Sequence, residues 1–173
     1  MNNTQKQKAM YLRNVVFGIE DSFVSTVGLL SGIAASHIDQ TTILMAGVIL
    51  ILVESISMGA GSLISEHEVL QYEAKRDLPY TKARSAAFLM FISYLIAGLV
   101  PLFPYVFFGK EIALPISIII TLFGLFLLGS VSASKFGGNP LRNGFRTLVI
   151  GGLAIIVGIT AGKLMVLWNV APL

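Results

Sequence analysis

Five apolar stretches, each long enough to cross a bilayer, leave this chain few alternatives to a helical membrane bundle. A crossing helix needs about 20 mainly apolar residues. The candidates run from about 12 to 36, 42 to 65, 85 to 108, 112 to 134 and 145 to 168. Hydrocarbon offers no partner to a bare backbone N–H or C=O, so the stretches are predicted as helices rather than open strands. The expected fold is an all-α integral membrane protein with five transmembrane helices. Residues 1–173 form one domain in this reading, with 66–84 as a short connection. Composition agrees, since only 12% of residues are charged against about 25% in soluble domains. No internal repeat is visible. Five spans do not divide into two equal halves, which weakens an inverted-repeat transporter reading.

The basic residues predict an orientation. Lys6, Lys8 and Arg13 precede the first span. Lys75, Arg76, Lys82 and Arg84 lie between the second and third, and Lys135, Arg142 and Arg146 between the fourth and fifth. The opposite connections hold only Lys110, with His37, Asp39 and Glu111. The positive-inside rule then places the N-terminus in the cytoplasm and the C-terminus outside. A prokaryotic cell membrane is the expected location. In "SEHEVLQYEAKRDLPYTKAR" the first half lacks breakers and is predicted to continue the second helix, with Pro79 ending it. No cleavable signal is expected, because Glu20 and Asp21 interrupt the first apolar run.

Several function classes fall away. There is no cysteine, so disulfides and thiolate sites are excluded, and two histidines cannot make a His-rich metal site. No nucleophile–base constellation appears, so an enzyme is not expected, nor is a cofactor. The basic residues follow topology, so nucleic acid is not an expected partner.

Three carboxylates inside spans carry the chemistry. A charged side chain at mid-membrane costs roughly 2.5–3.5 kcal/mol on insertion scales, so Glu20, Asp21 and Glu54 call for a reason. Counting inward, Asp21 lies about 13 Å deep, Met58 about 10 Å and Glu54 about 16 Å from the same edge. Asp21, Ser25, Gly28 and Gly32 share a face of the first helix; Glu54, Met58, Ser62 and Ser65 share one of the second. Two polar stripes at matching depth could line one path. Carboxylate oxygens with a thioether suit Fe²⁺ or Mn²⁺, whereas oxygen alone suits Mg²⁺ or Ca²⁺. Plainer roles stand beside these: Met58 as packing, Glu54 hydrogen-bonding serines on a neighbouring helix. Glu20 points about 100° from Asp21 and either reaches Arg13 or lines the path at the other helix of a dimer. Glu66 and Glu73 share a face beyond the second span and, with His67, could gather cations at the mouth. The alternative is a solvated extension balanced by Lys75 and Arg76. Lys163 either snorkels outward or serves as a structural partner. Glycines 28/32 and 158/162 form GxxxG pairs, a helix-contact signal.

The stretch "FGIEDSFVSTVGLLSGIA" resembles the "FGxxDGLVSTxGLVxG" opening of the vacuolar iron transporter (VIT/CCC1-like) family. "SISMGAG" resembles its "LSMAxGE" motif, and "AGLVPLFPYVF" its "PLxPY" segment. "GNPLRNGFRTLVIGGLAIIVGITAGKL" is similar to its closing glycine-rich region. The resemblance implies export of Fe²⁺, and often Mn²⁺, from the cytosol in exchange for protons. It also implies a homodimer with the ion path between subunits. Asp21 matches the family's first-helix aspartate and Met58 its second-helix methionine. Asp21 would then be a dehydrated metal ligand that also takes up a proton. Three departures stand out. Ser22 replaces a glycine, Ser62 replaces the acid of "GE", and Glu54 stands one turn before Met58, favouring a harder ion. The connection at 66–84 is too short for the helical metal-binding domain that plant and fungal members insert there, so this is a short form. Two rival readings remain at this stage: a small dimeric proton-coupled organic-cation antiporter, and a non-transporting membrane scaffold subunit.

Overall fold

A computed structural model describes residues 3–36 and 38–168. His37, assigned above to a connection, lies outside them. The described residues form α1 (Asn3–Ala34), α2 (Gln40–Ala74), α3 (Thr81–Phe107), α4 (Lys110–Phe136) and α5 (Pro140–Leu167). All five are long and apolar enough to cross a membrane, and the protein is a multi-pass integral membrane protein.

Helix ends depart from the apolar boundaries where local chemistry extends the helix. α1 starts at Asn3 rather than near 12, because 3–17 contains neither Pro nor Gly and is rich in good helix formers. α5 starts at Pro140 rather than near 145. Asn139 caps it by accepting from the Arg142 amide at 3.2 Å, and proline suits the first helical position. α2 does extend past its span, but Pro79 does not end it. The helix stops at Lys75, whose left-handed backbone (φ 54°) lets its N–H bond the Gln71 carbonyl. Pro79 lies in the connection 75–80. At the other end of α2, Asp39 accepts from the amide and hydroxyl of Thr42 at 3.0 and 2.7 Å.

α1 is the hub. The other helices form an arc in chain order, α2 against α3, α3 against α4 and α4 against α5, and α1 meets all four. The arc is open between its ends, α2 and α5. Leu30, Ile43, Ile51, Leu102 and Tyr105 form one buried cluster; Phe23, Ala97 and Leu125 form another. Both GxxxG pairs are used, against each other. A Cβ on Gly158 would overlap the Gly28 carbonyl, one on Gly162 the Gly32 carbonyl, and one on Gly32 would lie 2.7 Å from the Gly158 oxygen. α1 and α5 therefore run backbone to backbone there, the close approach that small residues permit in lipid. Large apolar side chains such as Phe88, Phe103, Ile119, Phe123 and Leu153 stay exposed, as lipid contact requires.

Candidate ion site

One polar seam joins α1 to α2, and it grades from ion pairs at the basic end of the bundle to carboxylates in the span. At the basic end, Lys6 meets Glu73 at 3.0 Å. One or two turns further along, the buried Glu66 carboxylate accepts from the Arg13 guanidinium and, at 2.8 Å, from the Asn14 amide. Asn14 also donates to the Met10 carbonyl at 2.9 Å and accepts from the Ser62 hydroxyl at 2.6 Å. A buried carboxylate persists only with such partners. The counterions of Glu66 and Glu73 are thus Arg13 and Lys6 of α1, not Lys75 and Arg76. Lys75 sits instead over the Tyr72 ring, 4.4 Å from its centre. His67 is buried and stacks on Tyr80 with ring centres 3.7 Å apart.

Deeper in the span, Asp21 and Glu54 lie close enough to interact electrostatically. Both are half-buried, as is Met58. Asp21 follows exposed Phe17 by one turn, and so occupies the uncovered side of α1. Glu54, Met58, Gly61 and Ser65 share a face of α2 by their spacing, and a Cβ at Gly61 would meet nothing. Gly59, two positions earlier, instead lies against Phe91 and Ala87 of α3. The carboxylates thus stand at the margin of the protomer, beside the opening of the arc. Ser62, grouped with them by spacing, is turned into the α1–α2 seam. Glu20 is half-buried and, among the described residues, forms no ion pair, since Arg13 is engaged by Glu66.

Tyr94 of α3 closes the inner side. It is fully buried, and its hydroxyl lies 2.6 Å from the Ser25 hydroxyl. Ser22 donates to the Tyr94 carbonyl at 2.7 Å. A Cβ on Gly98 would approach the Ser22 oxygen to 2.9 Å, so the serine found in place of the family's glycine fills a tight α1–α3 crossing. Sequence spacing missed Tyr94, because its link to Ser25 joins two helices. Asn14 was a readable signal, a polar amide inside the first span. Among the described residues, no three His, Cys, Asp or Glu side chains converge as a metal-binding group. Asp21, Glu54 and Met58 are each half-buried in their spans, with Ser25 and Tyr94 behind Asp21 on the α1–α3 side.

The profile of the VIT family matches residues 12–78 and 65–163. The chain is similar to vacuolar iron transporter 1 of Arabidopsis thaliana, 23% identical over 214 residues, covering 89% of this chain and 86% of the relative. Vacuolar iron transporter homolog 2 of Oryza sativa is 28% identical over 168 residues, covering 87% of this chain and 88% of the relative. Vacuolar iron transporter 1 of Tulipa gesneriana is 24% identical over 204 residues, covering 83% and 82%. These relatives are transporters by name, not enzymes. With both matched segments spanning all five helices and only residues 75–80 between α2 and α3, the chain belongs to the VIT family as a short form.

Proposed function

We propose that this protein carries a divalent transition metal, Fe²⁺ or Mn²⁺, out of the cytosol in exchange for protons, along a path completed between two copies of the chain. The observation that carries the reading is a pair of half-buried carboxylates, Asp21 of α1 and Glu54 of α2, on neighbouring helices inside the membrane. Two carboxylates sharing one field in low dielectric repel unless a cation or protons neutralise them. A divalent ion and protons therefore compete for the same oxygens, which is the basis of exchange. The Met58 thioether tilts the choice from Mg²⁺ or Ca²⁺ toward Fe²⁺ or Mn²⁺.

Transition ions with oxygen-rich ligands favour about six donors, more than one protomer presents. A second copy across the open side would double every ligand, and Gly61, with free space above it, would let that copy approach. Glu20 and Ser25 flank the path in this arrangement. Ser62, Glu66, His67 and Glu73 then belong to its cytoplasmic mouth, where Glu66 and Glu73 pair with Arg13 and Lys6. The basic end faces the cytosol by the positive-inside rule. The relatives are plant proteins named for the vacuole. A prokaryotic cell membrane has no support among them and is not part of the proposal.

The test is Fe²⁺ and Mn²⁺ flux into proteoliposomes under an imposed pH gradient. Asp21→Ala is expected to reduce proton-dependent flux to background, and Glu54→Ala to reduce it and shift the Fe²⁺/Mn²⁺ ratio toward the softer ion. Folded wild-type protein that moves neither metal, or Asp21→Ala that moves both at the wild-type rate, would overturn the reading.

A further inference from the structure

Two recesses that differ in charge lie on the surface at the basic ends of α1, α2 and α3, the second the more open. The first, about 400 Å³, carries Lys6, Arg13 and Lys82, but Glu66 and Glu73 line it too and take up two of those cations. The second, about 710 Å³, has no carboxylate in its lining. Its polar part is Tyr11, Arg84 and Ser85, and its apolar part is Leu63, Ala87, Phe88 and Leu89. Among the described residues Arg84 enters no ion pair. The Tyr11 oxygen accepts from Gln7 at 2.7 Å, which leaves its own O–H free to donate.

The two parts are ordered by depth. Arg84 and Ser85 lie in the opening turns of α3, and Phe88 lies one turn, about 6 Å, further into the span. Leu63 comes from the apolar run of α2. A guanidinium and a phenol at the water boundary, above an apolar floor that faces hydrocarbon, match a molecule with an anionic head and an acyl tail. Arginine binds phosphate oxygens through paired, charge-assisted hydrogen bonds.

We propose that this groove seats an anionic glycerophospholipid, its phosphate on Arg84 and Tyr11 and an acyl chain along Leu63, Phe88 and Leu89. A zwitterionic lipid is the weaker ligand, because its own cation is brought beside Arg84. A free phosphate is weaker too, because it leaves the apolar floor unused. The proposal does not depend on which ion the protein moves.

Purified full-length protein would be titrated with phosphatidylglycerol, phosphatidylcholine or glycerol 3-phosphate, with bound lipid counted by native mass spectrometry and the thermal midpoint followed in parallel. Phosphatidylglycerol is expected to bind about fivefold better than phosphatidylcholine, the preference one interfacial arginine supplies. Arg84→Gln should abolish that preference, Tyr11→Phe should weaken it, and Arg146→Gln, an exposed cation of α5, should leave it intact. Equal binding of both lipids would overturn the proposal, as would an equal loss in the Arg84 and Arg146 variants, which would mark general surface attraction. So would a full effect from glycerol 3-phosphate alone, which would assign the site to a soluble phosphate. If Arg84→Gln does not fold, Tyr11→Phe decides: an unchanged preference there sinks the idea.

Discussion

α1 makes two seams of opposite kind. Toward α2 it is joined by side chains: Lys6 to Glu73, Arg13 and Asn14 to Glu66, and Ser62 to Asn14. Toward α5 it is joined by the near absence of side chains, with Gly28 and Gly32 set against Gly158 and Gly162. The difference follows depth. Near the basic end water offsets the cost of separating charges, so ion pairs can hold two helices and still let go. In hydrocarbon there is no hydrophobic drive between helices, and close backbone approach supplies cohesion instead. The polar seam is the one that continues into Asp21 and Glu54. The glycine seam holds α1 and α5 backbone to backbone.

The largest expected effect breaks the glycine seam. Gly158→Ala places a Cβ on the Gly28 carbonyl, and overpacking of that kind costs about 1–3 kcal/mol or more. The thermal midpoint in detergent should fall clearly. Gly152→Ala on the same helix, where a Cβ meets nothing, is the control and should hold or raise it. Equal responses would show that the two glycine pairs do not bear on one another.

Next in size is the polar seam. Glu66→Ala leaves one Asn14 N–H without its acceptor in a buried position, while the bonds to Met10 and Ser62 remain, and should cost about 1–3 kcal/mol in equilibrium unfolding. Arg13→Ala should cost at least as much, since the Glu66 side chain is only 5% exposed and would be left as a buried carboxylate without its cation. If Arg13→Ala proved the milder change, water reaching the 66% exposed Arg13 side would be replacing the guanidinium.

Tyr94→Phe removes the 2.6 Å contact with Ser25 and should cost about 1 kcal/mol. Combined with Ser25→Ala the losses should not add; strict additivity would show that the hydroxyls act separately. The outermost pair should matter least. Lys6 and Glu73 are each about half exposed, so Lys6→Ala is expected to change stability by less than about 0.5 kcal/mol, vanishing in salt.

The opposite end of the bundle carries a small pH response of known sign. Bonds from the Thr42 hydroxyl and amide hold the Asp39 carboxyl below its ordinary range. A depressed folded value means the cap contributes fully above the unfolded pKa and is lost as pH falls through the folded one. Amide exchange in the first turn of α2 should therefore quicken under acid in the wild type. In Asp39→Asn it should not respond to acid; a matching response there would locate the effect elsewhere.

Much of this was legible in the chain. The five apolar runs had to become helices because lipid leaves the backbone no other partner. Asp21, Glu54 and Met58 announced themselves by cost, since polar groups in hydrocarbon need a reason. Less legible was the fate of residues whose role depends on what lies opposite. Glu66 and Glu73 read as solvated or cation-gathering, because Lys75 and Arg76 are near in sequence while Lys6 and Arg13 are near only in space. Pro79 read as the helix stop, though the backbone turned left-handed at Lys75 first. Ser22 read as a loss of glycine, yet its hydroxyl fills a crossing that also requires Gly98.

Local composition and periodicity act along one helix, and they determined the helix count, the all-α fold and the cost of the buried acids. Tertiary structure alone decided which faces meet. It set α1 at the hub, matched one GxxxG pair to the other, brought Tyr94 to Ser25, and paired Glu66 with Arg13 and Asn14. Those outcomes depend on the order of helices around α1, a property of pairs of helices that no single stretch of sequence contains.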